Sequence, residues 1–421
     1  MSTPPSQTRT PFHLVNRSQR SALVAEFTGK RLRELRTPAL VIDRAVFAKN
    51  CDKMHANATG YGAEFRAHLK THKTAEGTGL QLVSNSATSH AVVVSTVMEA
   101  WEVVNSGLVA EGIVKDILYG LPVAVNKVAD LSDLWDEAAK YGAIVRLLVD
   151  HPKQIEALNG FENARSIKRQ WSVFMKIDGE QKRAGVVPGS TAFETLLQTI
   201  HGTSTVSLYG FYCHAGDSYG STSPSQASSF LSSEVETVNE AAKMASDRIL
   251  GWSGGRFERP QFVLSIGSTP TAHSASAETR ARLQSVLYGT LELHAGNYAI
   301  IAQRVLATVV SYYPGRGVDG TDEALCDAGG IAMSKDTGPI RGYGEVIDKP
   351  WRLGRISQEH GILTYTPDAS GPAGLEVGST VEIIGQHACL IAAAHPWYYI
   401  TDSSTGDSDK VVDIWVPWKG W

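Results

Sequence analysis

The chain has 421 residues, 43% of them hydrophobic and 19% charged, with a formal net charge of −4 and a pI near 6.4. This composition fits a globular protein of two or three domains. It argues against nucleic-acid binding, which leaves basic tracts with interleaved aromatics, and no apolar run is long enough to span a bilayer.

The first 36 residues read as a leader, partly disordered or packed on a second domain. Pro4, Pro5 and Pro11 resist helix. The stretch is rich in Ser, Thr and Arg and its first acidic residue is Glu26, a pattern that also admits a mitochondrial transit peptide. Four scattered cysteines, Cys51, Cys213, Cys326 and Cys389, do not resemble a secreted disulfide framework and predict a reducing, cytoplasmic setting.

From Thr37 to Asp43 the chain reads as a strand, and Asp43 can cap a helix from Arg44 to His55. Strand patterns follow at Phe65–His68, Ala91–Val94, Asp116–Tyr119, Ala143–Val149, Ser172–Ile177, Ser207–Tyr212, Phe262–Ile266 and Thr290–Leu293. Helical patterns lie between several of them, such as Leu131–Tyr141, His151–Leu158 and Ser223–Ser246. Repeated β–α alternation predicts an α/β fold with a parallel sheet. Eight units over about 250 residues match a closed (β/α)8 barrel, here assigned to residues 37–297. Periodicity alone also admits an open doubly wound sheet.

After residue 298 short β-branched and aromatic runs are separated by Gly, Pro and Asp, which predicts a β-domain over 298–421. Tyr398–Thr401 and Val411–Val416, joined by a polar loop, read as a hairpin.

In a parallel barrel, functional side chains gather at the C-terminal ends of the strands. If Glu64 to Lys70 is a strand, then Arg66, His68 and Lys70 share one face. Burying unpaired charge is costly, so that face calls for an anion or a reactive partner. Lys176, Asp178, Arg183, Tyr212 and His214 stand at or just beyond other strand ends. Gly267-Ser268-Thr269-Pro270-Thr271 follows an apolar strand and offers hydroxyls and free N–H groups for a phosphate. A lysine, a phosphate cradle and a barrel mouth together suggest pyridoxal 5'-phosphate. Singly, each is also what an ordinary turn or solvated lysine looks like. His387 and Cys389, two apart on a supposed strand, form a nitrogen–sulfur pair suited to zinc; a buried inert cysteine is the plainer alternative.

The order of short motifs adds a resemblance. Thr37-Pro38-Ala39-Leu40, Arg66-Ala67-His68-Leu69-Lys70-Thr71-His72-Lys73, Cys213-His214-Ala215-Gly216-Asp217-Ser218-Tyr219, Gly267-Ser268-Thr269-Pro270-Thr271, Glu292-Leu293-His294-Ala295-Gly296-Asn297-Tyr298, Cys326-Asp327-Ala328-Gly329, Glu359-His360-Gly361 and His387-Ala388-Cys389 occur in one register. From residue 37 to the C-terminus the chain resembles the eukaryotic D-serine dehydratases, within the D-threonine aldolase-like group of alanine-racemase-fold enzymes. It departs from their pattern at Ala67, Asp217, Ala295, Gly385-Gln386 and the loop Asp178-Gly179-Glu180-Gln181-Lys182-Arg183, which bears on the role of Arg183.

The resemblance implies an alanine-racemase-like barrel with a C-terminal β-domain, assembled as a homodimer. It implies Lys70, rather than Lys73, as the Schiff-base lysine and base. His214 would lie near the cofactor ring and Arg183 near its phenolic oxygen. Ser268, Thr269, Gly296 and Asn297 would hold the phosphate, Tyr219 would lie by the D-amino acid substrate, and His387 and Cys389 would bind Zn2+. His395, the alternative third ligand, is assigned a structural or surface role. The implied reaction is D-serine to pyruvate and ammonia. The alternatives are a D-threonine aldolase or hydroxyaspartate-processing lyase, and a non-catalytic protein that only holds the cofactor.

Overall fold

The computed structural model describes residues 18–252, 254, 260–283, 285–318, 320–338, 340–366 and 374–421. The prolines of the leader, and most of the stretch read as a transit peptide, lie outside the described residues.

Seventeen strands are described: β1 (Ala39–Asp43), β2 (Glu64–His68), β3 (Ala91–Val94), β4 (Asp116–Pro122), β5 (Ile144–Val149), β6 (Trp171–Lys176), β7 (Val206–Tyr212), β8 (Phe262–Ile266), β9 (Gly289–Ala295), β10 (Gln303–Tyr313), β11 (Glu323–Cys326), β12 (Gly344–Val346), β13 (Trp351–Ile356), β14 (Gly361–Tyr365), β15 (Thr380–Gly385), β16 (Tyr398–Thr401) and β17 (Asp413–Trp415).

Strands β2 to β9 close into a parallel barrel in sequence order, β9 pairing back onto β2. They are the eight strands expected from the alternation, so the doubly wound alternative is set aside. The strands are covered outside by helices, so most of their positions are buried on both faces, and charged residues on them fall mainly in β2, β4, β5 and β9. β6, WSVFMK, is buried at every position.

The barrel interior is layered. Val93, Leu118, Leu148 and Phe174 form a central apolar plug. Below it, toward the N-terminal ends of the strands, Arg66 donates to Glu292 at 2.8 Å and Asp116 at 2.7 Å, and Arg146 pairs with the other oxygen of Asp116 at 2.7 Å. Arg146 also lies on the Tyr209 ring, 3.4 Å from its centroid.

The second sheet runs β11-β14-β13-β12-β15-β10-β1-β16-β17. β10 also pairs with β11, so β10 to β15 curl into a closed ring. All neighbours are antiparallel except β1 and β16. This corrects one expectation: β1 lies in the β-domain, not in the barrel. It is buried at all five positions and takes partners on both edges, β10 and β16. The expected hairpin is present as β16 and β17.

The helix Arg20–Phe27 packs on this sheet through Leu23, Val24 and Phe27. Phe27 meets Tyr399 edge-on at 5.1 Å. Arg20 reaches both Glu76, beside the barrel, and Asp413 on β17, each at 2.7 Å. Among the described residues no helix is long and apolar enough to cross a membrane.

Candidate active site

The site lies at the C-terminal mouth of the barrel, where the β-domain leans over it. β2 ends at His68, so Lys70 sits in the turn beyond the strand rather than on it. Arg66 is therefore separated from the mouth. Its charge is satisfied by Asp116 and Glu292, and it marks no anion site. This overturns the shared-face expectation. The partners stand 50 and 226 residues away in the chain, and strand periodicity does not show them.

Burial holds the Lys70 ammonium below the usual lysine range; Arg183 pushes the same way, while Cys389 and Glu99 oppose. Lys73, three residues on, is committed elsewhere. Its ammonium pairs with Glu99 at 2.9 Å and its carbonyl accepts from the Trp418 N–H at 2.7 Å. Lys176, at the end of β6, is buried with its Nζ on the Ile177 carbonyl at 2.7 Å, and burial lowers its pKa too.

Three histidines face this basic cluster, and burial keeps each neutral. His214 contacts the Gly267 carbonyl through Nδ1 at 2.6 Å, and burial pushes its pKa down to about 3. His68 and His294 are driven down by burial and by nearby cations. His294 stacks on Tyr212 with centroids 4.0 Å apart and lies 5.9 Å from His214. Its Nδ1 meets Ser265, and its buried Nε2 has no partner among the described residues.

The loops after β8 and β9 supply a cradle. Gly267 has φ +135, and a Cβ there would lie 2.4 Å from the His294 carbonyl oxygen. A Cβ at Gly296 would lie 2.3 Å from the His68 carbonyl oxygen. Both loops can therefore come close only because these residues lack side chains. Ser268 is buried, with its hydroxyl 2.6 Å from that of Ser218 and 3.0 Å from that of Thr271. The buried Thr269 hydroxyl has no well-formed hydrogen bond, although the Tyr219 hydroxyl approaches it. Glu234, from the long helix Pro224–Trp252, accepts from the N–H groups of Ala215 and Gly267, tying the loop after β7 to the loop after β8. Burial raises its pKa to about 7.

His387 and Cys389 lie at the same mouth, beside the loop after β9. They are not on a strand as expected. His387 is the N-cap of the helix Ala388–Ala394, and Cys389 is in its first turn. The run ACLIAAA is dominated by strong helix formers, with Ile391 and Ala392 buried beneath. The two side chains still meet. Burial raises the Cys389 thiol, but hydrogen bonds from His387 and Thr71 and the charge of Lys70 outweigh it, and the net shift is downward. The Cys389 hydrogen bond, burial opposing, and Asp336 together raise His387 to about 9. Cys389 Sγ is 3.2 Å from Thr71 Oγ1 and 3.8 Å from Asn297 Oδ1. Among the described residues no cluster of three or more His, Cys, Asp or Glu is placed to hold a metal. His395 turns inward onto the Ile391 carbonyl.

Comparison with known proteins fits this arrangement. Residues 302–401 match the family model "Putative serine dehydratase domain". A D-serine dehydratase of Schizosaccharomyces pombe is 42% identical over 95% of each chain. The chain belongs to the D-serine dehydratase family. A second member, a D-serine dehydratase of Saccharomyces cerevisiae, is 33% identical over 95% of this chain and all of that one. Among solved structures, D-threo-3-hydroxyaspartate dehydratase from Delftia sp. HT23 superposes with a TM-score of 0.76 at 28% identity, over 93% of this chain and all of that one.

The sequence-derived site residues of this family member thus gather around one mouth. Lys70, His214, Ser268, Thr269, Tyr219, Gly296 and Asn297 line it, and Arg183 acts on it electrostatically. Sequence reasoning passed over Glu234 and Asp336, which look like ordinary surface carboxylates. It gave no role to His294, although the motif containing it was noted.

Proposed function

We propose that the protein is a D-serine dehydratase that converts D-serine to pyruvate and ammonia, with pyridoxal 5'-phosphate at Lys70 and a zinc ion at His387 and Cys389. One observation carries this reading. Thr71, the residue after Lys70, hydrogen-bonds Cys389, and Lys70 and Cys389 feel each other's charge. A basic amine and a thiol–imidazole pair therefore open on the same cleft. The names of the relatives point to the same reaction.

The residues fit the cofactor. The unsatisfied Thr269 hydroxyl, the Ser268 hydroxyl and the two glycine-permitted loop approaches make room and donors for a phosphate. Bound there, the cofactor supplies an electron sink for the charge left when the α-proton departs. Lys70, its pKa lowered by burial, is poised to take that proton. His214 stays neutral and offers a flat face with fixed orientation. Arg183 and Lys176 supply positive charge near His214.

The donor set at His387 and Cys389 fits zinc, and two protein ligands leave positions open for a substrate carboxylate and hydroxyl. Zinc there supplies a Lewis acid for the departing hydroxyl. A cysteine-to-alanine variant of a D-threo-3-hydroxyaspartate dehydratase, 28% identical to this chain, was solved in a metal-free form, which supports this role for the thiol. We also propose a homodimer, supported by exposed apolar residues beside the mouth, Ile301, Ile331, Ile384 and Leu390.

The test is to give the purified protein D-serine and D-threonine, before and after chelation, while following pyruvate, glycine and acetaldehyde. Pyruvate from D-serine, lost on chelation and restored by zinc, is expected. Glycine and acetaldehyde from D-threonine as the main products would replace the dehydratase reading with an aldolase. No turnover with a cofactor absorbance band present would leave only the cofactor-holding reading.

A further inference from the structure

His387 does not stand alone. Asp336 Oδ2 lies 2.6 Å from its Nδ1, although the two are 51 residues apart in the chain. Asp336 is held in place. It follows the short helix Gly330–Met333, whose C-cap Ser334 takes φ +65. The Asp336 N–H donates to the Ser334 hydroxyl at 3.1 Å.

The same loop is fastened to the residue before His387. Gln386 Nε2 donates to the Ile340 carbonyl at 2.7 Å, and a Cβ on Gly338 would lie 2.5 Å from Gln386 Oε1. The register between this loop and Gln386-His387 is therefore fixed by contacts that do not involve Asp336 itself.

A histidine that binds a metal through one nitrogen usually donates its other N–H to a carboxylate, which sets the tautomer and ring orientation and raises ligand basicity. Asp336 occupies Nδ1. Nε2 is then the nitrogen left for the Cys389 side and for ligating a metal once its proton is displaced.

We propose that Asp336 is a positioning residue for the metal: it fixes the Nδ1–H tautomer of His387 and so presents Nε2 as the ligand. The proposal rests on reading His387 and Cys389 as the metal pair. Asp336 does not itself bind the ion, because its oxygen is engaged on the opposite side of the ring.

The test is competition for zinc between the cofactor-loaded protein and a chromogenic chelator, in the wild type and in Asp336→Ala, Asp336→Asn and Asp336→Glu. Asp336→Ala and Asp336→Asn should hold zinc about 10- to 100-fold more weakly. Asp336→Glu should recover part of the loss. The cofactor absorbance band should be unchanged in all three. D-serine turnover by Asp336→Asn should fall at limiting zinc and return at saturating zinc, a rescue that a general folding defect would not show. Zinc affinity of Asp336→Ala within about twofold of the wild type would overturn the proposal. A wild-type protein that retains no zinc would overturn the metal reading itself, and this proposal with it.

Discussion

The barrel holds buried basic groups at both ends, and the two ends treat them differently. At the lower end Arg66 and Arg146 are matched by Asp116 and Glu292 at hydrogen-bond distance. At the mouth Lys70, Lys176 and Arg183 gather with three neutral histidines, and the buried carboxylates around them are engaged elsewhere, Glu234 with backbone N–H groups and Glu99 with Lys73. The lower end is a completed ion network. The mouth is an incomplete one whose missing element is anionic, as a phosphate and a substrate carboxylate would be. Burial of charge alone therefore does not mark a functional site; burial without a hydrogen-bonded ion partner does.

Six substitutions would break or sharpen that contrast. The largest effect is expected at Lys70. Lys70→Ala should abolish the cofactor absorbance band and cut D-serine turnover by about a thousandfold or more. Lys73→Ala should keep the band, because Lys73 is paired with Glu99; a band lost only in Lys73→Ala would reverse the assignment.

At the lower end, Arg66→Met leaves Asp116 and Glu292 short of a partner. Denaturant unfolding should show a loss of about 3–5 kcal/mol. The matching change at the mouth, Lys176→Met, removes a desolvated charge and should leave the cofactor-free protein as stable as before or slightly more so. Equal destabilisation of the two variants would erase the distinction between the ends.

The mouth should also be acid-sensitive. His214 has its folded pKa lowered from 6.5 to about 3, so between those values the unfolded chain binds a proton that the folded one does not. Stability then rises with pH and falls as the solution is acidified through that window. For the cofactor-free protein, unfolding free energy should drop by on the order of 2 kcal/mol from about pH 7 to about pH 5, and His214→Gln should flatten the slope. The smallest effect is expected far from both ends. Arg20→Ala removes an exposed bridge and should cost less than about 1 kcal/mol in thermal or denaturant unfolding.

Much of this was legible in the sequence. The eight barrel strands were visible because strands buried on both faces leave unbroken apolar runs between helical patterns. Lys70, His214 and the Gly267-Ser268-Thr269 loop were visible because strand ends in a barrel share one rim. β1 was assigned to the wrong domain because adjacency along the chain is the ordinary guide to adjacency in space, and here it fails. His387-Ala388-Cys389 was read as strand because a short apolar run does not declare its period. Arg66 was misjudged, and Glu234 and Asp336 were missed, for one reason. Their partners are distant in sequence, and no local pattern records a pairing that only the closed fold creates.

The placement of β1 has a consequence for biosynthesis. This strand leaves the ribosome before any barrel strand, yet its two neighbours, β10 and β16, are translated after the barrel is complete. The second domain cannot assemble in the order of translation, and its first strand must wait unpaired while some 260 residues are made, roughly 13–50 s at ordinary elongation rates. Fragments cut between the domains should therefore be insoluble apart and recover structure only when co-expressed.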